Sequence, residues 1–415
     1  MPQISSIDEY FDRIDKLVYN GQDWKTGEKV ARMIALNDEH TEEPYLHIEA
    51  YGSRSKRCRV SEDEIFDELS CLHLHVLYNV HVAQDYVAAQ STQIQMIQLF
   101  NKEILQKRKD ENWFLPVFYR LCTDLRFLSK EAEAGVAADD EGESNEANSF
   151  FEAAAKAITE CYRTCVSDVH AEPGTSKKVA MLNMTNQLFQ IYFQINKLNL
   201  LKPLIRAIDN CGNLYNEFLM ADKVAYNYFL GRKAMFDADL NLAEKSLLYA
   251  FRNCPSSSVS NKRKILIYLI PVKMFLGHMP TSSLLHQYKL DEFQEVVTAV
   301  KEGNLAQLDG ALAANEAFFI KCGIFLMLEK LRMITFRTLF KKVSAIVGTN
   351  QIPLNAFQTA LRFVGVMDVD TDELECIIAN LIASKKIKGY LSHQHGKLVI
   401  SKVNAFPTLS GISAN

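Results

Sequence analysis

Glycine and proline are scarce, 17 and 10 in 415 residues, which argues against collagen-like chains and turn-dense all-β architectures. Long apolar runs are missing as well. The most apolar stretch, ILIYLIPVKMFLG from Ile265, is interrupted by Lys273, well short of the roughly 20 residues of a membrane helix. The opening MPQISSIDEYFDRIDK is acidic and has no apolar signal core, so neither an export signal nor a membrane anchor is expected. The nine cysteines include no C-x-x-C pair and no cysteine–histidine array, Cys161 and Cys165 being the closest at i, i+4. That usage suits a reducing compartment, cytosol or nucleus. The phosphate-cradling, dinucleotide, nucleophile-elbow and zincin motifs are absent, and with them the usual signatures of an enzyme or of a bound cofactor.

Isolated polar residues do not fill that gap. His73 and His75 in CLHLHVLYNVH are at i, i+2 and so point from different faces of a helix; with His81 they lack an acidic partner at metal-binding spacing. They are expected in or near the core. Asp237 and Asp239 lie in a turn, where helix capping accounts for them.

What the chain does have is 48% hydrophobic residues, recurring mostly at three and four spacing, the mark of a mainly α protein. An acidic, small-residue segment, EAEAGVAADDEGESNEANS from Glu131 to Ser149, has too few large apolar side chains to offset the entropy of ordering, and is read as a flexible loop. A second polar stretch, Asn37 to Val60, reads as a long connection. The resulting division is an N-terminal helical region 1–130, the acidic loop 131–149, helical repeats 150–318, a winged helix 319–406 and a tail 407–415.

The repeats rest on self-similarity. FQINKLNLLKPLIRAI from Phe193 and FDADLNLAEKSLLYAF from Phe236 share Phe, Lys, Leu and Ala in register, with weaker copies at FLGHMPTSSLLHQY and KEGNLAQLDGALA. Each unit is a helix, a short polar turn and a second helix, the pattern of a solenoid of helix pairs. The middle copy partly fits the tetratricopeptide template, with Leu230, Gly231, Ala243, Leu247 and Pro255 in place and Asn227 and Ala234 departing from it.

After Phe318 the pattern changes. Three helical runs end in DTDELECIIANLIAS, which Asp370 or Thr371 can cap. The period then falls to two. In IKGYLS and KLVISK, Ile387, Leu391, Leu398 and Ile400 share one face if HQHGK is a turn with Gly396 at positive φ. Three helices and a two-stranded wing make a winged helix. Phe319 to Ala405 holds twelve Lys or Arg against six Asp or Glu, although the whole chain is −4. Lys341, Lys342, Lys385, Lys386, Lys388, Lys397 and Lys402 are therefore candidate phosphate contacts, and Tyr390 among them is expected to pack on the wing as strand tyrosines commonly do, with stacking of a base the alternative. His393 and His395 flank the turn, where contact with solvent or nucleic acid is expected rather than metal. The other reading of this charge is a solvated face on a protein-interaction wing. Met333, Ile334 and Phe336 in LRMITFRTLF have more apolar character than one buried stripe needs, and either form a candidate partner surface or all fill the core.

Helical repeats running into a winged helix resemble the PCI module of proteasome-lid, signalosome and translation-initiation subunits. NQLFQIYFQINKLNLLKPLIRAID, EAFFIKCGIFLMLEKLRMITFRTLFKKV and DVDTDELECIIANLIASKKIKGYLSHQHGKLVISK are more specifically similar to the PCI subunits of nuclear transcription-and-export complexes. The resemblance implies a non-enzymatic scaffold at the nucleus and nuclear pore, partly cytoplasmic. Its partners would be a larger PCI-like subunit, a small acidic disordered subunit, pore components, and RNA or double-stranded DNA. A PCI scaffold of lid or signalosome type, without nucleic acid, remains the alternative.

Overall fold

Short polar side chains set the helix starts. Ser6, Asp23, Asp85, Asp239, Thr281, Asn304 and Asp370 each accept a hydrogen bond from the backbone N–H three residues on, satisfying donors that the first turn leaves unpaired. The computed structural model describes residues 6–21, 23–47, 64–139, 149–170, 172 and 174–411. They fall into two units, Met1–Tyr226 and Asn227–Asn415, and are mainly helical with one small sheet.

In the first unit, the helices Tyr86–Phe100, Leu115–Asp139 and Ser149–Val166 pack together around the ring cluster of Phe100, Phe114 and Phe118. Leu115–Asp139 corrects the loop boundary at 131. EAEAGVAAD continues the helix because alanine and glutamate have high helix propensity and Ala132 is buried; low hydrophobicity was mistaken for low order. Residues 140–148 of that segment lie outside the described residues. Of the Asn37–Val60 connection, Glu39–Glu42 and Pro44–Leu46 form single 3-10 turns, and 48–60 lie outside the described residues.

His73 is fully buried, His75 half-buried, and His81 exposed with its ring stacked on His47. Neither ring nitrogen of His73 has a hydrogen-bond partner; the ring lies against Tyr10 and His40. Burial, with smaller contributions from His40 and Arg120, holds its pKa well below the ordinary value. Burial likewise lowers that of His40, against the pull of Asp38. Both hold a proton less readily when folded than when unfolded, so as pH falls through about 6.5 the unfolded chain takes up more protons than the folded one, and stability is lost. Asp124 opposes this: burial raises its pKa to about 6, so the folded state gains on acidification below that value. Asp222, which burial also raises, acts in the same sense as Asp124, and fully buried His73, with no partner on either nitrogen, outweighs them. Melting measured at pH 7.5 and 5.5 should show a clear loss of Tm on acidification, and His73→Phe should shrink that loss. Equal losses in the two proteins would remove His73 from the account.

Helix pairs follow: Met181–Gln194 packs on Leu201–Asp209, Met220–Phe236 meets Leu240–Asn253, which packs in turn on Val259–Phe275, and Gln294–Glu302 packs on Leu305–Ala314. The division between the units falls inside Met220–Phe236, so both share the segment read as repeats. Of the tetratricopeptide-like positions of the middle copy, Gly231 and Leu247 meet. A Cβ on Gly231 would lie 2.5 Å from Leu247 Cγ, and Ala243 and Leu247 are fully buried.

The second unit ends in the winged helix: helix Arg332–Val347, β1 (Gln351–Pro353), helix Leu354–Phe363, helix Thr371–Ala383, β2 (Gly389–Ser392) and β3 (Lys397–Ile400). The sheet is three-stranded, order β1-β3-β2, antiparallel throughout. The two-stranded expectation missed β1, whose three residues are too short to show alternation. Gly396 takes φ +55 after the His393–His395 turn, and Ile387, Leu398 and Ile400 enter one core with Phe336, Phe340, Phe357 and Leu381. Leu305 belongs to the same core. Arg332 pairs with both oxygens of Asp309 at 2.7 Å, and Lys342 Nζ donates to Glu302 O at 2.8 Å. These contacts join the last helix pair to the winged helix. The tail is tied in as well: Pro407 is buried, and its carbonyl accepts from Arg337 Nη2 at 2.6 Å.

Candidate nucleic-acid interface

The register of the hairpin decides which lysines meet. Gly389 pairs with Ile400 and Ser392 with Lys397, and Ser401 N–H donates to the Lys388 carbonyl at 2.8 Å. Lys388 and Lys402, both exposed, therefore flank the base of the hairpin, while Lys397 stands at its tip beside His393 and His395. Lys385 joins the base group from the turn closing Thr371–Ala383, where it is exposed and holds the left-handed φ of +58. Lys341 and Lys342 are exposed on Arg332–Val347, and Lys342 is committed to the Glu302 carbonyl.

Lys386 differs from its neighbours. It is half-buried, and burial first, then the adjacent Arg337 charge, lowers its pKa. Its ammonium is less available to a phosphate than sequence adjacency to Lys385 and Lys388 suggests.

Because Ile387, Leu398 and Ile400 face the core, alternation turns Lys388, Tyr390, Lys397 and Val399 outward. Tyr390 is 62% exposed and pairs across the sheet with Val399. An open aromatic with cations at both ends of its sheet face can stack a base and hold its phosphates. The helix Thr371–Ala383 works against a different mode. In helix-turn-helix relatives the corresponding helix enters the DNA major groove, yet here it carries Asp372, Glu373 and Glu375 and no Lys or Arg. Glu375 Oε2 is 2.8 Å from His393 Nδ1, which ties wing tip to helix. Those carboxylates repel a phosphate backbone, so the wing, not the helix, is the surface suited to nucleic acid.

The candidate partner surface is corrected. Ile334 and Phe336 are 2% and 4% exposed, and Met333 packs against the same core; the extra apolar character of LRMITFRTLF serves a helix covered both by the wing and by the last helix pair. Exposed apolar side chains of the winged helix are elsewhere: Ile346 at 85%, Phe363 at 89% and Met367 at 68%. Sequence periodicity gave no sign of them.

Comparison with known proteins agrees with the geometry. The PCI domain model matches residues 312–402, spanning the winged helix and the short helices before it. Over 415 residues, all of both chains, the sequence is 84% identical to the "PCI domain-containing protein 2 homolog" of Caenorhabditis elegans. It is 45% identical over 408 residues to "PCI domain-containing protein 2" of Danio rerio, 98% of this chain and 99% of the relative. The chain belongs to the PCI domain-containing protein 2 family. "Enhanced ethylene response protein 5" of Arabidopsis thaliana is a more distant relative, 35% identical over 306 residues, covering 72% of this chain and 71% of the relative. Membership in this family makes the chain a PCI scaffold, and its winged helix is the PCI domain.

Proposed function

We propose that this scaffold is a non-enzymatic subunit of a nuclear, transcription-coupled mRNA export complex, with the outer face of its wing holding RNA. It would pair with a larger PCI-like subunit and a small acidic subunit, and act at the nuclear pore. The observation that carries the reading is the outward face of β2 and β3, where exposed Tyr390 stands between Lys388 and Lys397, with Lys385 and Lys402 beside its base. Double-stranded DNA would be bound through its backbone and without sequence readout, because the acidic helix does not suit the major groove. The second reading, a PCI scaffold without nucleic acid, draws on that same helix and on the half-burial of Lys386.

Three to five phosphate contacts give a slope of log affinity against log salt of roughly −2 to −4. Changing Lys385, Lys388 and Lys402 to Glu should weaken RNA binding by a complex purified from nuclei, and flatten the slope by about 2 to 3. Tm should hardly move, because exposed lysines contribute little to folding. Unchanged RNA affinity at low salt would leave the scaffold without nucleic acid as the standing interpretation. The subunits recovered in the same purification test the partner assignment.

A further inference from the structure

In the first unit a cleft of about 470 Å3 opens beside the helix Leu115–Asp139, within the size range of small-ligand sites. Its lining includes Arg120, Arg126 and Lys130 against one carboxylate, Asp124. The two arginines are in different situations. Arg120 is satisfied: Nε donates to Asp124 Oδ2 at 2.9 Å, and Nη2 lies 2.6 Å from Asp124 Oδ1. Arg126 is half-buried and has no carboxylate partner among the described residues. Among the described residues its one hydrogen bond runs from Nε to Gln187 Oε1 at 3.1 Å. Gln187 is itself buried and donates from Nε2 to Thr123 Oγ1 at 3.1 Å, whose hydroxyl donates to the Tyr119 carbonyl at 2.9 Å. A buried relay thus fixes the guanidinium by its Nε edge and leaves its terminal nitrogens for the cleft.

A guanidinium withdrawn from water without a counterion is costly. Burial lowers its pKa, with no opposite charge raising it. Lys130 stands one helical turn further on, and Phe127, 48% exposed, lies between them on the cleft wall. The Gln190 and Gln194 amides line the same space from the neighbouring helix. We infer that this cleft is a binding site for a phosphate monoester carrying one ring system, its phosphate held by Arg126 and Lys130 and its ring set against Phe127. Planar guanidinium groups suit phosphate oxygens, and the cleft holds one nucleotide-sized group.

The test is calorimetric titration of the full chain, in a buffer free of phosphate, with AMP, phosphotyrosine amide and inorganic phosphate. At least one ester should bind one-to-one, and which of the two does so identifies the source of the phosphate. Arg126→Met should weaken that ester roughly tenfold or more, the loss expected of a charge-assisted contact. Lys130→Met should weaken it less. Adenosine and tyrosine amide should not bind. No binding of either ester at millimolar concentration overturns the proposal. So does an Arg126→Met protein that keeps full affinity. Inorganic phosphate binding as tightly as the ester overturns the role given to Phe127.

Discussion

Replacing Gly303 with valine should cost the second unit about 2–5 kcal/mol, the sum of a left-handed conformation imposed on an L side chain and of overpacking. Gly303 ends Gln294–Glu302 at φ +74. A Cβ there would lie 2.6 Å from the backbone nitrogen of Leu339 and 2.9 Å from its Cα, atoms inside a helix that cannot move aside. The last helix pair and the winged helix meet through this gap, so the damage falls on both. Chemical denaturation of the full chain should show the transition of this unit shifted to lower denaturant. Gly310 is the control: it is exposed within Leu305–Ala314 and its Cβ would meet nothing within 4 Å. Gly310→Ala should stabilise by roughly 0.5–1 kcal/mol through helix propensity. If both variants shift the transition in the same direction, the close approach at Leu339 is not what requires glycine.

The second large effect belongs to Arg337. Its side chain, 8% exposed, donates from Nε to the Lys386 carbonyl at 3.1 Å and from Nη2 to the Pro407 carbonyl at 2.6 Å, with the guanidinium 5.9 Å from the Phe406 ring centroid. One residue of Arg332–Val347 thus secures the turn before β2 and the segment after β3. Arg337→Met leaves two carbonyls without this donor, and should cost about 2–6 kcal/mol, at 1–3 for each buried group left unsatisfied. Arg337→Lys should fall between, since an ammonium lacks the fork that reaches both carbonyls. Hydrogen exchange at Lys388, whose N–H donates to the Ala405 carbonyl, should accelerate in the Met variant. Protection there equal to that of the parent protein would show that the wing is held without Arg337. Removing its charge also takes away one of the two influences lowering the Lys386 pKa, which should rise.

Much of this was legible in the chain. Alternation in IKGYLS and KLVISK placed the hairpin, Gly396 placed its turn, and Asp370 marked the start of the preceding helix. The three- and four-residue spacing gave the helix pairs. What escaped had specific causes. β1 is three residues long and defined by its partner β3, not by its own pattern. Arg337 reads as another surface cation until the structure gives it two carbonyls. Lys386 cannot be told from Lys385 in SKKIK, because its burial depends on that same arginine. The cleft around Arg126 draws on helices far apart in the chain, and its signal is a missing carboxylate, which no local pattern encodes.

The pairing of Gln351 with Val399 also bears on the order of events during folding. Each helix pair closes over a short stretch of chain, whereas β1 must wait for β3 to arrive from beyond two intervening helices. Non-local pairings pay their loop-closure entropy before any contact rewards it, so within the winged helix the β2–β3 hairpin is expected to close before β1 joins it. Until β1 joins, the β3 edge that pairs with Gln351–Pro353 is open to another strand, so the hairpin is exposed to mispairing during synthesis.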